Sequence, residues 1–209
     1  MVVLLVCSDL HGSDEALSML RRVERDLSPD AVAICGDFTT YGSRDYMGKV
    51  LSAFESDLLA VPGNCDTEEM LRMMEGAGAS VHSRRVARHG LDFFGFGGGL
   101  PSSSNMPFEV EEAEMVAGLR GVAVEGGVML THTPPRGMND SDRNGRHIGS
   151  EGIMGVVGEF RPRAVLSGHV HEARGQVTAD GTLFVNPGTA RGGHYALVEI
   201  GEGAVARLH

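Results

Sequence analysis

Three short apolar runs, residues 2–7, 31–35 and 58–61, each stop abruptly at a polar or glycine-led block. Apolar character that is continuous over so few residues marks strands buried on both faces, not the alternation of a solvent-facing sheet. Between the first two runs, Ala16, Leu20, Val23 and Leu27 recur at helical steps, with Asp14 and Glu15 in the first turn. That spacing predicts an amphipathic helix with acid at its positive dipole end. A second helix is predicted after Ser43 from Tyr46, Met47, Val50, Leu51, Phe54 and Leu58, and a third from Asp66 with Glu69 three residues on. The last pair has the form of a capping box, although Asp66 has an equal claim to orienting its neighbours. Strand and helix thus alternate over the first third of the chain, which implies parallel βαβ units with right-handed crossovers.

The rhythm then changes. Residues 86–89 and 91–96 read as neighbouring strands, 97–105 as a loop, 109–119 as a helix and 127–130 as a strand. Residues 133–149 are polar and rich in Pro, Arg, Asp and Gly. Loops of that length in compact domains are often functional, which makes this segment the candidate lid. A helix over 150–160 and strands over 164–166, 176–178, 183–185 and 195–200 close the chain. With no linker or repeat, the 209 residues are expected to form one domain, 1–209. A chain of this size buries roughly 70% of its unfolded surface without staples, so a metal bound to it is expected to be functional.

Eighteen Lys and Arg against 28 Asp and Glu give a net charge of −10, and no basic cluster exceeds Arg84-Arg85 with Arg88 nearby. This balance argues against long nucleic acid as a partner. It does not exclude phosphate chemistry, because bound cations can meet a phosphate instead. The three cysteines, Cys7, Cys35 and Cys65, are odd in number and form no Cys-x-x-Cys pair, which points to a reducing, cytoplasmic compartment. Cys7 and Cys35 lie inside predicted strands and read as small core residues. The apolar N-terminal run is far shorter than the roughly 18 residues of a membrane span, and no membrane role is expected.

The chemistry sits where the predicted strands end. Five blocks occupy those ends: Asp9-Leu10-His11, Gly36-Asp37, Gly63-Asn64-Cys65-Asp66, Thr131-His132 and Gly168-His169-Val170-His171. In α/β sheets ligands gather at the carboxyl ends of strands. Taken singly, Asp9 is a plausible helix start, and Asp37 and Asn64 plausible turn residues. Taken together, two carboxylates, one amide and four imidazoles form a mixed oxygen and nitrogen set suited to Mn, Fe, Zn or similar divalent ions. Seven ligands are too many for one zinc. They suit two ions that share a carboxylate about 3.5–4 Å apart, an arrangement that clamps both ends of a displacement at phosphorus.

In this order the five blocks resemble the calcineurin-like metallophosphoesterase superfamily, with its D-x-H, G-D, G-N-H-D or G-N-H-E, H and G-H-x-H motifs. Thr131-His132-Thr133-Pro134-Pro135, His147-Ile148-Gly149-Ser150, Gly168-His169-Val170-His171-Glu172 and Asn186-Pro187-Gly188 also resemble its small bacterial and archaeal branch of predicted phosphoesterases related to a cyclic-nucleotide phosphodiesterase. The resemblance implies an α/β fold, a four-layer αββα sandwich of two mixed sheets. It implies one ion on Asp9, His11, Asp37 and His171 and another on Asp37, Asn64, His132 and His169, with a water or hydroxide between them as nucleophile. Mn is the first choice of metal, with Fe, Zn, Ni, Co and Mg as alternatives. The implied catalytic group is Asp37, Asn64, Cys65 and Asp66, and Asn64, Arg146 and His147 are the candidates for holding substrate phosphate.

One departure matters. Cys65 stands where much of the family carries a His that protonates the leaving group, and a thiol is a weaker hydrogen-bond donor. The expected activity is therefore metal-dependent hydrolysis of a small phosphoester, a diester with a readily departing group in preference to an alkyl monoester. The alternative is a non-catalytic scaffold of the same fold that binds a protein partner or a nucleotide. Such scaffolds typically have eroded metal motifs, and the complete set of seven ligands disfavours that reading.

Overall fold

The computed structural model describes all 209 residues. Two sheets stack face to face. One runs, edge to edge, β11 (Ala204–Leu208), β10 (Ala196–Ile200), β1 (Val2–Cys7), β2 (Ala31–Cys35) and β3 (Asp57–Val61). The other runs β4 (Arg84–Arg88), β5 (Leu91–Phe96), β6 (Val128–Thr131), β7 (Ala164–Leu166), β9 (Thr182–Asn186) and β8 (Gly175–Ala179). β1, β2 and β3 are mutually parallel, as are β5, β6, β7 and β9, and the outer strands add antiparallel pairs.

The period of two sends successive side chains to opposite faces, and here both faces are dry. Leu4, Val6, Ala33 and Val61 of the first sheet meet Phe93, Leu130, Leu166 and Val185 of the second in a core between the sheets. Their neighbours Leu5, Cys7, Ile34 and Ala60 turn outward under α1 (Asp14–Leu27), α2 (Arg44–Leu51) and α3 (Glu68–Gly76). On the far side Phe94, Met129, Val165 and Phe184 lie under α4 (Glu112–Val122) and α5 (Glu151–Phe160). The layers are therefore helices, sheet, sheet, helices, the αββα sandwich. All three cysteines are buried and free, with Cys7 and Cys35 in the core. No helix is long and apolar enough to cross a membrane.

Several boundaries differ from the sequence reading. The second helix ends at Leu51, and Leu58 belongs to β3. The third is capped by Thr67, whose side chain accepts from the Met70 N–H, so Asp66 is free to turn inward. α4 starts at Glu112, because Glu109 is held in a bridge with Gly99. β4 covers 84–88, since His89 takes a positive φ of 52° in the turn to β5. β11 was not expected at all. The segment 133–149 is folded on itself: Asp140 accepts N–H bonds from Gly137 and Gly149, and Asp142 accepts from Asn144 and Arg146. It is also moored to the body, by the Arg143 N–H on Glu172 and the Asn139 amide on the Phe184 carbonyl.

Candidate metal centre

The five polar blocks follow β1, β2, β3, β6 and β7. Within each sheet these strands are parallel, so their carboxyl ends open on one side. The backbone there is unusual. Asp9, His11, Asp37 and His169 all adopt positive φ, between 47° and 66°. Left-handed geometry at a residue with a Cβ costs on the order of 1 kcal/mol, and it persists where surrounding structure over-determines it. Here it is imposed by the Asp9 N–H on the Gly36 carbonyl and the His11 N–H on the Asp37 carbonyl, each 3.0 Å. Two glycines permit the close approach of these loops. A Cβ on Gly63 would lie 2.0 Å from Asp37 Oδ1, and one on Gly168 would lie 1.8 Å from Ser8 Oγ.

The seven expected donors converge as two groups. In one, His171 Nε2 lies 3.1 Å from Asp9 Oδ1 and 3.3 Å from His11 Nε2. In the other, Asn64 Oδ1 lies 2.9 Å from His132 Nε2 and 3.1 Å from His169 Nδ1, and the two rings approach to 3.2 Å. Asp37 stands between them: its Oδ2 is 3.7 Å from His11 Nε2 and its Oδ1 is 3.5 Å from His132 Nε2. Asp9, Asp37 and His132 are buried, whereas His171 is exposed.

This donor set fits a cation. His132 Nδ1 donates to the Cys35 carbonyl at 2.7 Å, which leaves Nε2 without hydrogen in the neutral ring. Nε2 then faces the Asn64 carbonyl oxygen at 2.9 Å, and a bound proton or metal ion between them satisfies both lone pairs. Without metal, protons fill that role. Burial opposes charge on His132, but Asp37 and Asp9 outweigh it and raise its pKa above the ordinary value. The hydrogen bond to Asp9 raises His171 likewise. Burial would raise the Asp9 carboxyl, yet His171 and His132 bring it down to about 2. Burial lowers His169 to about 4 and lowers His11 as well. Imidazole, amide and carboxylate suit first-row divalent ions.

The remaining expected residues divide. Asp66 is fully buried and ties two site loops together, accepting from the N–H groups of Gly63, Phe38 and Thr39. Burial and the nearby Asp37 raise its carboxyl to about 6. Cys65 donates its backbone N–H to Asp37 Oδ1 at 2.9 Å, and burial together with Asp37 pushes its thiol well above the usual thiol range. Arg146 pairs with Asp142 and His147 with Asp140 inside their own loop. Neither lines the cleft of about 520 Å³ beside the donors, whose walls are His11, Thr40, His171, Thr189, Arg191 and Gly192.

Sequence reasoning missed Thr40, Thr189 and Arg191. It matched Asn186-Pro187-Gly188 to the small bacterial and archaeal branch without giving the Asn186 side chain a role, whereas the Asn186 amide reaches into the loop that carries His169 and His171. The proximity of that motif to the fifth block in sequence was the available signal.

A family model for calcineurin-like phosphoesterases matches residues 2–173, and the chain belongs to that family. Members act on phosphoesters with divalent metals. A Methanocaldococcus jannaschii protein, MJ1162, is 28% identical over 190 residues, spanning 86% of this chain and 85% of that one. Among solved structures, TT1561 of Thermus thermophilus superposes with a TM-score of 0.77 at 19% identity, over 99% of this chain and 98% of that one. An archaeal phosphodiesterase superposes at 0.60 and 15% identity, over 99% of both chains. At these identities the two structures share the fold.

Proposed function

We propose that the chain is a two-metal phosphodiesterase acting on a small diester. The observation that carries this reading is the placement of Asp37, whose two carboxylate oxygens face the two donor groups separately. Asp9, His11, Asp37 and His171 would hold one divalent ion, and Asp37, Asn64, His132 and His169 the other, with Mn as the first choice. Such ions, when bound, lower the pKa of water, position it in line with the leaving oxygen and neutralise the phosphoryl oxygens.

The protein's own contribution is orientation. The Cys35 carbonyl fixes the His132 tautomer, and ligand orientation of this kind is worth roughly 10- to 100-fold in metal affinity. Asp66 is a positioning residue that keeps the Asp37 and Asn64 loops together. Asn64 would offer its carbonyl oxygen, beside His132 and His169, to the second ion and is the candidate for contact with substrate phosphate. Cys65 keeps its proton, and a thiol this reluctant to ionise is a poor general acid. Diesters whose leaving group departs without strong protonation, aryl or cyclic ones, are therefore the favoured substrates. Arg146 and His147, engaged by Asp142 and Asp140, are given no role in this reading.

The test is hydrolysis of bis(p-nitrophenyl) phosphate and p-nitrophenyl phosphate with Mn²⁺ or with chelator, using Asp37→Ala as control. Metal-dependent diester turnover that exceeds monoester turnover and disappears in the variant is expected. No turnover of either, with metal bound, contradicts the proposal in favour of a binding scaffold.

A further inference from the structure

The cleft runs from only one of the two donor groups. His11 and His171 line it, while Asn64, His132 and His169 do not. Its opposite wall is the turn Thr189 to Gly192, which hangs from the first site loop by three hydrogen bonds. The Ala190 N–H donates to the Ser8 carbonyl at 2.8 Å, the Arg191 N–H to the Asp9 carbonyl at 3.2 Å and the Thr189 hydroxyl to the same Asp9 carbonyl at 2.9 Å. The Arg191 backbone is thereby fixed relative to Asp9.

Arg136, Arg143 and Arg146, in the polar loop, are each paired with a carboxylate. Arg191, like Arg21, Arg22, Arg25 and Arg161, takes part in no ion pair or side-chain hydrogen bond, and it is the one arginine or lysine on the cleft wall. A volume of about 520 Å³ is in the range that holds an entire small ligand, well beyond one phosphoryl group. Cys65, at the position from which a leaving group would be protonated, does not line the cleft, so a scissile phosphate between the two donor groups would leave this space to the arm of the diester that stays behind.

We propose, resting on the phosphodiesterase reading, that Arg191 is a specificity-determining residue that receives a second anionic group, a carboxylate or phosphate, on the non-departing arm of the substrate. The planar guanidinium pairs with either oxyanion in bidentate fashion.

The experiment compares three p-nitrophenyl phosphodiesters, with a butyl, a carboxypropyl or a phosphobutyl second arm, in Mn²⁺-loaded wild type, Arg191→Ala and Arg191→Lys. The wild type is expected to favour an anionic arm over butyl, and Arg191→Ala to reduce that preference in kcat/KM by roughly 10- to 100-fold, mainly through KM. Arg191→Lys recovers part of it, and the better of the two anionic arms identifies the oxyanion. An unchanged preference, or an equal fall for all three substrates, overturns the proposal, the latter by placing Arg191 on the scissile phosphate. If the wild type hydrolyses none of them, the phosphodiesterase reading has failed by itself. Calorimetric titration of the carboxypropyl and phosphobutyl diesters into chelated wild type and Arg191→Ala then decides: tighter binding to the wild type supports the assignment, and equal or absent binding overturns it.

Discussion

The side-chain amide of Asn186 donates to the carbonyl oxygen of Val170 at 2.9 Å, and so holds the residue that lies between His169 and His171. The same amide lies 3.4 Å from the Gly168 carbonyl, and its oxygen accepts the Gly188 N–H at 2.9 Å. Two imidazoles that face different donor groups thus depend on one buried side chain. Asn186→Ala is expected to weaken metal binding by roughly 10- to 100-fold, as loss of an orienting partner does. Calorimetric Mn²⁺ titration checks this. A variant that loses thermal stability yet binds Mn²⁺ with unchanged affinity would show the role to be purely structural.

Cys65 sets the choice between diester and monoester in this account. Cys65→His places a group that titrates near neutrality where the thiol now keeps its proton, and general acids contribute typically ~10²- to 10⁴-fold. The ratio of monoester to diester kcat/KM is expected to rise at least ~10-fold. An unchanged ratio, with metal content intact, removes leaving-group protonation as the reason for the preference.

On the proposed ligand assignment, metal uptake and protonation compete at His132 and His171. Both have pKa values raised above the ordinary imidazole value, whereas those of His11 and His169 are lowered by burial. Binding a cation must expel the protons of the first pair. Mn²⁺ uptake is therefore expected to release protons at acidic pH and progressively fewer as the pH rises, with affinity rising over the same interval. Calorimetry in buffers of different ionisation enthalpy counts them. Release that does not vary with pH contradicts the assignment.

Gly63 has no room for a side chain, since a Cβ would sit 2.0 Å from Asp37 Oδ1 and 2.2 Å from the Asp37 nitrogen. Gly63→Ala is expected to cost about 1–3 kcal/mol of stability and to displace the Asp37 carboxylate. Thermal melting reads the first effect. Loss of Mn²⁺ stoichiometry, on the same sample, reads the second.

The layered fold was legible because each central strand is apolar on both faces and each helix carries its own stripe. Leu4 and Leu5 pack into different cores, yet both are apolar, so the run declares itself. The donor blocks were legible because strand ends gather ligands and the blocks come in order. β11 escaped notice because Ala204–Leu208 is an edge strand with Val205 more than half exposed, following a Gly-Glu-Gly turn. The Thr67 cap was misplaced because Asp66 and Thr67 are equally good capping residues, and only the fold shows Asp66 engaged by three backbone N–H groups. Arg191 left no trace in the sequence: a single Arg in a Gly-rich turn has no motif, and its position derives from backbone bonds to Ser8 and Asp9, some 180 residues earlier.

The central claim, that Asp37 joins two metal sites, is tested most directly by electron paramagnetic resonance of the protein titrated with Mn²⁺, alongside metal analysis. Two Mn per chain with an exchange-coupled spectrum, reverting to the pattern of isolated ions in Asp37→Ala, is the predicted result. One Mn per chain, or two whose spectrum is uncoupled and unchanged by the substitution, would contradict it.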